Sequence, residues 1–174
     1  SKDIWLMNIL LVGVGLIGGS FSLALKHRED LTFGGYDKSR DAQDKALELG
    51  IVSKGFPTLS EGIRWADIII VSVPVRAIRE LLPEILDQVQ PHNVVVDFGS
   101  TKEAICASVS HHPNRGQFVA AHPIAGTEHS GPSAAFKELY RGMNLILCDT
   151  DLTEPDKLKY FEILAKDAGF SIIH

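Results

Sequence analysis

The order of apolar runs, glycines and helical patterns predicts an α/β fold, a doubly wound, mostly parallel sheet with helices on both faces. Three observations carry this. Short unbroken apolar runs at 9–12, 68–71 and 94–96 have the composition of strands covered on both faces. Segments of helical periodicity separate such runs, so strands and helices alternate along the chain. Gly13, Gly15 and Gly18, in GxGxxG spacing, join the first run to the first helical pattern.

Taken in order, residues 4–6 extend the first strand, and the glycine turn passes into a helix in which Phe21, Leu23, Ala24 and Leu25 face inward, ending near 27–30. A second strand at 31–36 stops at Asp37. Ser39 is the expected N-cap and Gly50 the expected C-cap of the next helix, which is followed by a short strand at 51–56 and a brief helix at 59–65. The run at 68–71 ends at Ser72, Val73 and Pro74; proline donates no ladder hydrogen bond, so this tripeptide marks the strand's carboxyl end and borders the ligand crevice. Ile78, Leu81, Leu82, Ile85, Leu86 and Val89 follow helical spacing from Arg76, with Pro83 expected in or near the first turn. A strand at 94–96, a helix at 103–111 and a strand at 118–121 ending at His122 come next. A helix within 132–140, a strand at 145–148, an amphipathic helix at 154–168 and a last strand at 170–173 complete the pattern.

A chain of 174 residues is long enough for one domain that buries roughly 70% of its unfolded surface. Its net charge of -5, without a basic cluster, argues against nucleic acid or an anionic membrane as partner. The longest apolar runs fall well short of the roughly 20 residues a spanning helix needs. Cys106 and Cys148 form no CxxC pattern and no secretory signal opens the chain, which points to a reducing cytoplasm. No HExxH or paired CxxC supports a metal.

On its own the glycine spacing also marks ordinary turns. Here it follows a buried strand, opens a helix, and is answered by an acid 19 positions after the third glycine. That combination is the Rossmann-type dinucleotide site: N–H groups of Gly13, Gly15, Leu16, Ile17 and Gly18 and the positive helix end face a pyrophosphate, and Asp37 accepts from the adenosine ribose. A carboxylate repels the 2′-phosphate of NADP, so NAD is the expected cofactor, although the neighbouring Lys38 and Arg40 offer a cation that partly accommodates a phosphate.

The second dense constellation is HPIAGTEHSG at 122–131, read as a loop beyond a strand's carboxyl end. Histidine ordinarily titrates near neutrality, so His122 is suited to take a proton from an alcohol as hydride leaves the same carbon; its alternative is a structural hydrogen bond at a strand end. His129 reads as a solvated loop residue and the His111–His112 pair as a helix-end feature. Ser100 ends another strand facing the same crevice. Its hydroxyl either orients His122, binds a substrate hydroxyl, or caps the following helix, forming a capping box with Glu103. Lys102 either neutralises a nearby charge or is an exposed first-turn lysine.

Together GVGLIGGS, the strand ending in SVPV, DFGSTK, and HPIAGTEHSG followed by RGMNLILC resemble the prephenate and arogenate dehydrogenase family over essentially the whole chain. The resemblance implies NAD-dependent oxidative decarboxylation of prephenate to 4-hydroxyphenylpyruvate in tyrosine biosynthesis. It implies His122 as the catalytic histidine, Ser100 as the serine beside it, and Thr127 and Glu128 as residues bordering the substrate site. The family continues past the position of His174 into a helical domain that forms the homodimer and adds cationic substrate contacts. Residues 1–174 are accordingly expected to be a cofactor-binding fragment, weakly active or inactive alone. Other β-hydroxyacid-type dehydrogenases, pyrroline-carboxylate reductases and a non-catalytic NAD-binding module are rival readings, and none of the enzymatic rivals accounts as well for HPIAGTEHSG.

Overall fold

In the computed structural model, residues 6–124 and 137–174 are described. Eight strands form one sheet: β1 (Met7–Val12), β2 (Leu31–Tyr36), β3 (Lys54–Gly55), β4 (Ile68–Val71), β5 (Val94–Asp97), β6 (Phe118–Pro123), β7 (Asn144–Cys148) and β8 (Ser171–Ile173). Their spatial order is β3-β2-β1-β4-β5-β6-β7-β8. Every pairing is parallel except β6 with β7. The chain runs outward in one direction from β1 and in the other from β4, so the crevice for a ligand opens between the carboxyl ends of these two strands.

Among the described residues, six α-helices cover the sheet: α1 (Leu16–Ala24), α2 (Arg40–Glu48), α3 (Leu59–Trp65), α4 (Val75–Gln88), α5 (Lys102–Val109) and α6 (Pro155–Asp167). Strand alternation divides the core into two layers. Ile9, Leu11, Ile70, Val96 and Val119 face α1, α2 and α6 through Phe21, Ala46, Phe161 and Leu164. Leu10, Val12, Ile69, Val71, Val95 and Ala120 face α3, α4 and α5 through Ile63, Ile78, Leu82, Ile85 and Ile105. The central strands β4 and β5 are buried along their whole length, which is why their sequences are continuous apolar runs rather than alternating ones.

Local signals are realised with some differences. Ser39 caps α2 by accepting the Ala42 N–H at 3.2 Å, and Gly50 follows the helix at φ +73°. α1 stops at Ala24, short of the expected 27–30. The expected strand at 51–56 shrinks to Lys54–Gly55, because Ile51 and Val52 turn inward to cap the core beside α2 instead of extending the ladder. Pro83 lies well inside α4 rather than in its first turn. The missing N–H falls beside exposed Arg79, whose carbonyl can be hydrated. β6 runs through His122 and Pro123, which were expected to begin a loop. Its antiparallel pairing with β7 opposes His122 to Ile146 and draws both residues into the ladder. Ile4 and Trp5, and most of the expected helix at 132–140, lie outside the described residues.

Candidate functional site: the glycine crevice and the strand ends beside it

The turn after β1 is shaped as a cradle. Gly13 adopts φ +93°, a conformation L side chains rarely take, and its N–H donates to the Tyr36 carbonyl at 2.9 Å. A Cβ at Gly18 would sit 2.6 Å from Ser72 Oγ and 2.7 Å from the Gly13 carbonyl oxygen, so helix and strand pack through this glycine. At Gly15 a Cβ would meet nothing within 4 Å: the space in front of the helix end is open. The first bond of the α1 ladder runs from the Gly19 N–H to the Gly15 carbonyl at 2.9 Å. The N–H groups of Leu16, Ile17 and Gly18 precede it and end the helix with its positive pole towards that space. No acidic side chain in the first turn neutralises the pole.

Asp37 stands at the end of β2 as a preformed acceptor. Its Oδ2 accepts the Val14 N–H at 3.1 Å and its Oδ1 the Ser39 N–H at 2.8 Å, so each oxygen keeps a further lone pair. The Asp37 N–H donates to Gln43 Oε1 at 2.9 Å, and the Gln43 amide donates in turn to the Phe56 carbonyl at 3.0 Å. Arg40 pairs with Asp44 on its own helix at 3.4 Å.

A cavity of about 370 Å³ joins these parts. Gly13, Gly15, Asp37, Ser72, Val73 and Pro74 line it, as the sequence predicts; Tyr36, Lys38, Ala77 and Leu81 line it too. Sequence reasoning missed Tyr36, Ala77, Leu81 and the buried Gln43. Ala77 and Leu81 are four apart on α4, a spacing that reads simply as core, and Gln43 carries no local signal at all. Ser72 Oγ donates to the Gly13 carbonyl at 3.0 Å, closing the turn from the β4 side. The fit to a dinucleotide rests on this geometry: an open helix end, a carboxylate with spare acceptors, and an apolar slot between them.

Farther along the same sheet edge lie Ser100 and His122. Ser100 is exposed three residues past β5. Thr101, not Ser100, occupies the N-cap position of α5, and it makes no side-chain cap bond. The capping-box reading of Ser100 with Glu103 therefore fails, since the helix starts one residue later than that box requires. His122 is half-buried near the end of β6. Asp97 and Ala120 are paired in register, so His122, two positions on, lies on the α5 side of the sheet like Asp97. Ser100, expected to end a strand, instead lies in the turn after β5 because the ladder stops at Asp97, and His122 is near the end of the adjacent β6; the two form no hydrogen bond to each other among the described residues.

Lys102 is largely buried rather than an exposed first-turn lysine. Its ammonium pairs with Asp97, whose carboxylate is wholly buried and whose Oδ2 also accepts the Gly99 N–H at 3.0 Å. Burial pushes the Asp97 carboxyl up and the Lys102 ammonium down, each partly offset by the other's charge. Cys106 and Cys148 border this pair on a neighbouring cavity of about 350 Å³, and burial pushes the Cys106 thiol up to about 11. Thr127 and Glu128 fall outside the described residues.

Residues 21–174 match the family described as prephenate dehydrogenase, nucleotide-binding domain. The chain belongs to this family. The glycine turn lies just before the matched span and is carried by the geometry above. Prephenate dehydrogenase of Bacillus subtilis is 32% identical over 162 residues, covering 91% of this chain and 44% of that protein. The crystal structure of prephenate dehydrogenase from Aquifex aeolicus in complex with hydroxyphenyl propionate and NAD+ superposes with a TM-score of 0.86 at 31% identity, covering 99% of this chain and 60% of that one. Synechocystis arogenate dehydrogenase gives 0.87 at 29% identity, covering 96% and 59%. The chain spans about half the length of the curated relatives it matches. Among the described residues no helix is long and apolar enough to cross a membrane.

Proposed function

We propose that residues 1–174 are the NAD-binding domain of a prephenate dehydrogenase that converts prephenate to 4-hydroxyphenylpyruvate. The observation that carries this reading is the placement of Ser100, in the turn after β5, and His122, near the end of the adjacent β6, along the same sheet edge as the glycine cradle. The N–H groups at the start of α1 hold the pyrophosphate, Asp37 the adenosine ribose, and Val73, Pro74, Ala77 and Leu81 cover the adenine. Arg40 is engaged by Asp44, and the Asp37 carboxylate repels a 2′-phosphate, which supports NAD over NADP. Bound there, NAD supplies the acceptor for the hydride on the ring carbinol carbon.

The chain's own residues contribute proton transfer and orientation. His122 takes the proton of the ring hydroxyl, leaving the oxygen as a carbonyl while hydride departs from its carbon. The bond from the ring to its carboxylate then breaks, its electron pair enters the ring and reaches the carbonyl oxygen, carbon dioxide leaves, the ring becomes aromatic, and the oxygen takes the proton back from His122. Ser100 orients the hydroxyl or the imidazole, and Thr127 and Glu128 border the substrate, following the family resemblance. Positioning rather than activation is the main demand, because aromatisation drives the reaction.

The remaining substrate contacts belong to the helical domain of the longer enzyme, which also forms the homodimer in the cytoplasm. The test is NADH formation by the full-length enzyme with prephenate, with arogenate as the competing substrate and NADP as the competing cofactor. Prephenate-dependent reduction of NAD is the expected result. Turnover of arogenate alone would assign the chain to the arogenate branch, for which the Synechocystis likeness is the supporting observation, and reduction of neither cofactor would overturn the reading.

A further inference from the structure

We propose that Asp97 and Lys102 are positioning residues whose buried ion pair fixes the turn carrying Ser100 relative to the strand carrying His122. The inference rests on the reading of Ser100 and His122 given above. Asp97 closes β5 with no exposed surface, and the Lys102 side chain is 11% exposed. One carboxylate oxygen receives both the Lys102 ammonium and the Gly99 N–H, so the segment from 97 to 102 is clasped at its two ends around a single atom. Phe98 anchors the opposite face of the same segment, with its ring 5.5 Å from Phe21 edge-on and 6.4 Å from Phe170. Between these fixed points only Ser100 and Thr101 stand exposed.

The residue that carries this carboxylate also pairs with β6 through its backbone. Asp97 is paired in register with Ala120, two residues before His122, and its Oδ1 has no hydrogen-bond partner among the described residues. A buried ion pair with an unpartnered oxygen is a poor device for stability, since an apolar pair of similar volume does as well or better. What it provides is a fixed geometry: two charges in a low dielectric tolerate little displacement, and the residue held between them inherits that rigidity. Lys102 therefore acts through Ser100 and touches no reacting atom.

The test compares Lys102→Met, Lys102→Arg, Ser100→Ala and the Lys102→Met/Ser100→Ala double variant in the full-length enzyme with NAD and prephenate. Lys102→Met is expected to lower kcat by about 10-fold, the loss that a small misplacement of a working group produces. It should leave NAD affinity within about twofold and add almost nothing in the Ser100→Ala background, while Lys102→Arg retains most of the activity. Equal losses from Lys102→Met in both backgrounds, or no loss, would overturn the positioning role alone. A Ser100→Ala variant with unchanged kcat would overturn it together with the role given to Ser100.

A second readout does not depend on the substrate. Amide exchange of residues 99–101 should rise on the order of tenfold in Lys102→Met, and unchanged exchange would overturn the proposal whatever the enzyme oxidises. If Lys102→Met leaves the Asp97 charge so costly that the protein does not fold, the Asp97→Asn/Lys102→Met variant removes both charges, and the same comparisons apply to it.

Discussion

The two ends of the sheet edge differ in how much of their geometry is complete in this chain. Around the glycine turn, the polar groups that shape the crevice are engaged: Asp37 with the Val14 and Ser39 N–H groups, Ser72 with the Gly13 carbonyl, and the Asp37 N–H with Gln43. What is left open there, the first N–H groups of α1 and spare lone pairs on Asp37, is what a dinucleotide would use. At the ends of β5 and β6 the situation is reversed. The support is built, in the Asp97–Lys102 pair, but among the described residues Ser100 and His122 form no hydrogen bond to each other. A cofactor can be recognised by backbone and one carboxylate on a finished cradle, whereas catalytic hydrogen bonds, which the proposed function assigns to Ser100 and His122, commonly tighten only once substrate is bound.

The strongest way to break this contrast is at the reacting end. His122→Ala in the full-length enzyme should lower kcat by about 10²–10⁴, the range for loss of a general base, with calorimetric NAD affinity unchanged. A parallel loss of NAD affinity would show that the two ends are not separable. The buried support beneath the reacting end should show itself in thiol chemistry. With its thiol pushed from 9.0 to about 11 by burial, Cys106 carries about a hundredfold less thiolate than a free cysteine at any pH well below 9. Its labelling by a disulfide reagent should therefore be slow in the native protein, rise with pH, and become rapid on unfolding.

The cradle is best tested by filling it. Gly18→Ala would drive a Cβ into Ser72 Oγ and the Gly13 carbonyl; overpacking of this kind costs about 1–3 kcal/mol, and NAD affinity should fall by about 10-fold or more. Asp37→Asn supplies one carbonyl where two oxygens already serve two N–H groups. It should reduce catalytic efficiency with NAD by about 10-fold and give no preference for NADP, because the turn loosens along with the charge. The smallest expected effect sharpens the link between the ends. Tyr140 is fully buried, stacks on Phe170 at 4.2 Å, and donates its hydroxyl to the Ile17 carbonyl of α1 at 2.5 Å. Tyr140→Phe keeps the stack and loses only this bond, so thermal unfolding should register about 1 kcal/mol of destabilisation.

Much of this was legible in residue order. GVGLIG after an apolar run, Asp37 at the end of the next strand, and SVP closing a third identify the crevice, because each is a local device whose backbone conformation depends on its own residues. Other features escaped for a common reason. Whether a strand runs through His122, whether Thr101 or Ser100 precedes α5, and where Pro83 falls in α4 depend on ladder partners and helix boundaries set by other parts of the chain. Gln43 is invisible in sequence for the same reason, since its importance comes from two partners, Asp37 and Phe56, on different elements.

Lys102 marks the division most clearly. The sequence by itself determined the alternation of strands and helices, the dinucleotide cradle, the acid that answers it and the family to which the motifs point, all of which reside in contiguous patterns. It left Lys102 divided between a solvated side chain and a charge partner. Only the tertiary structure decided for the partner, by burying Asp97 at the end of β5 under α5, where desolvation leaves that carboxylate dependent on a nearby cation, and the segment's own turn brings Lys102 to it.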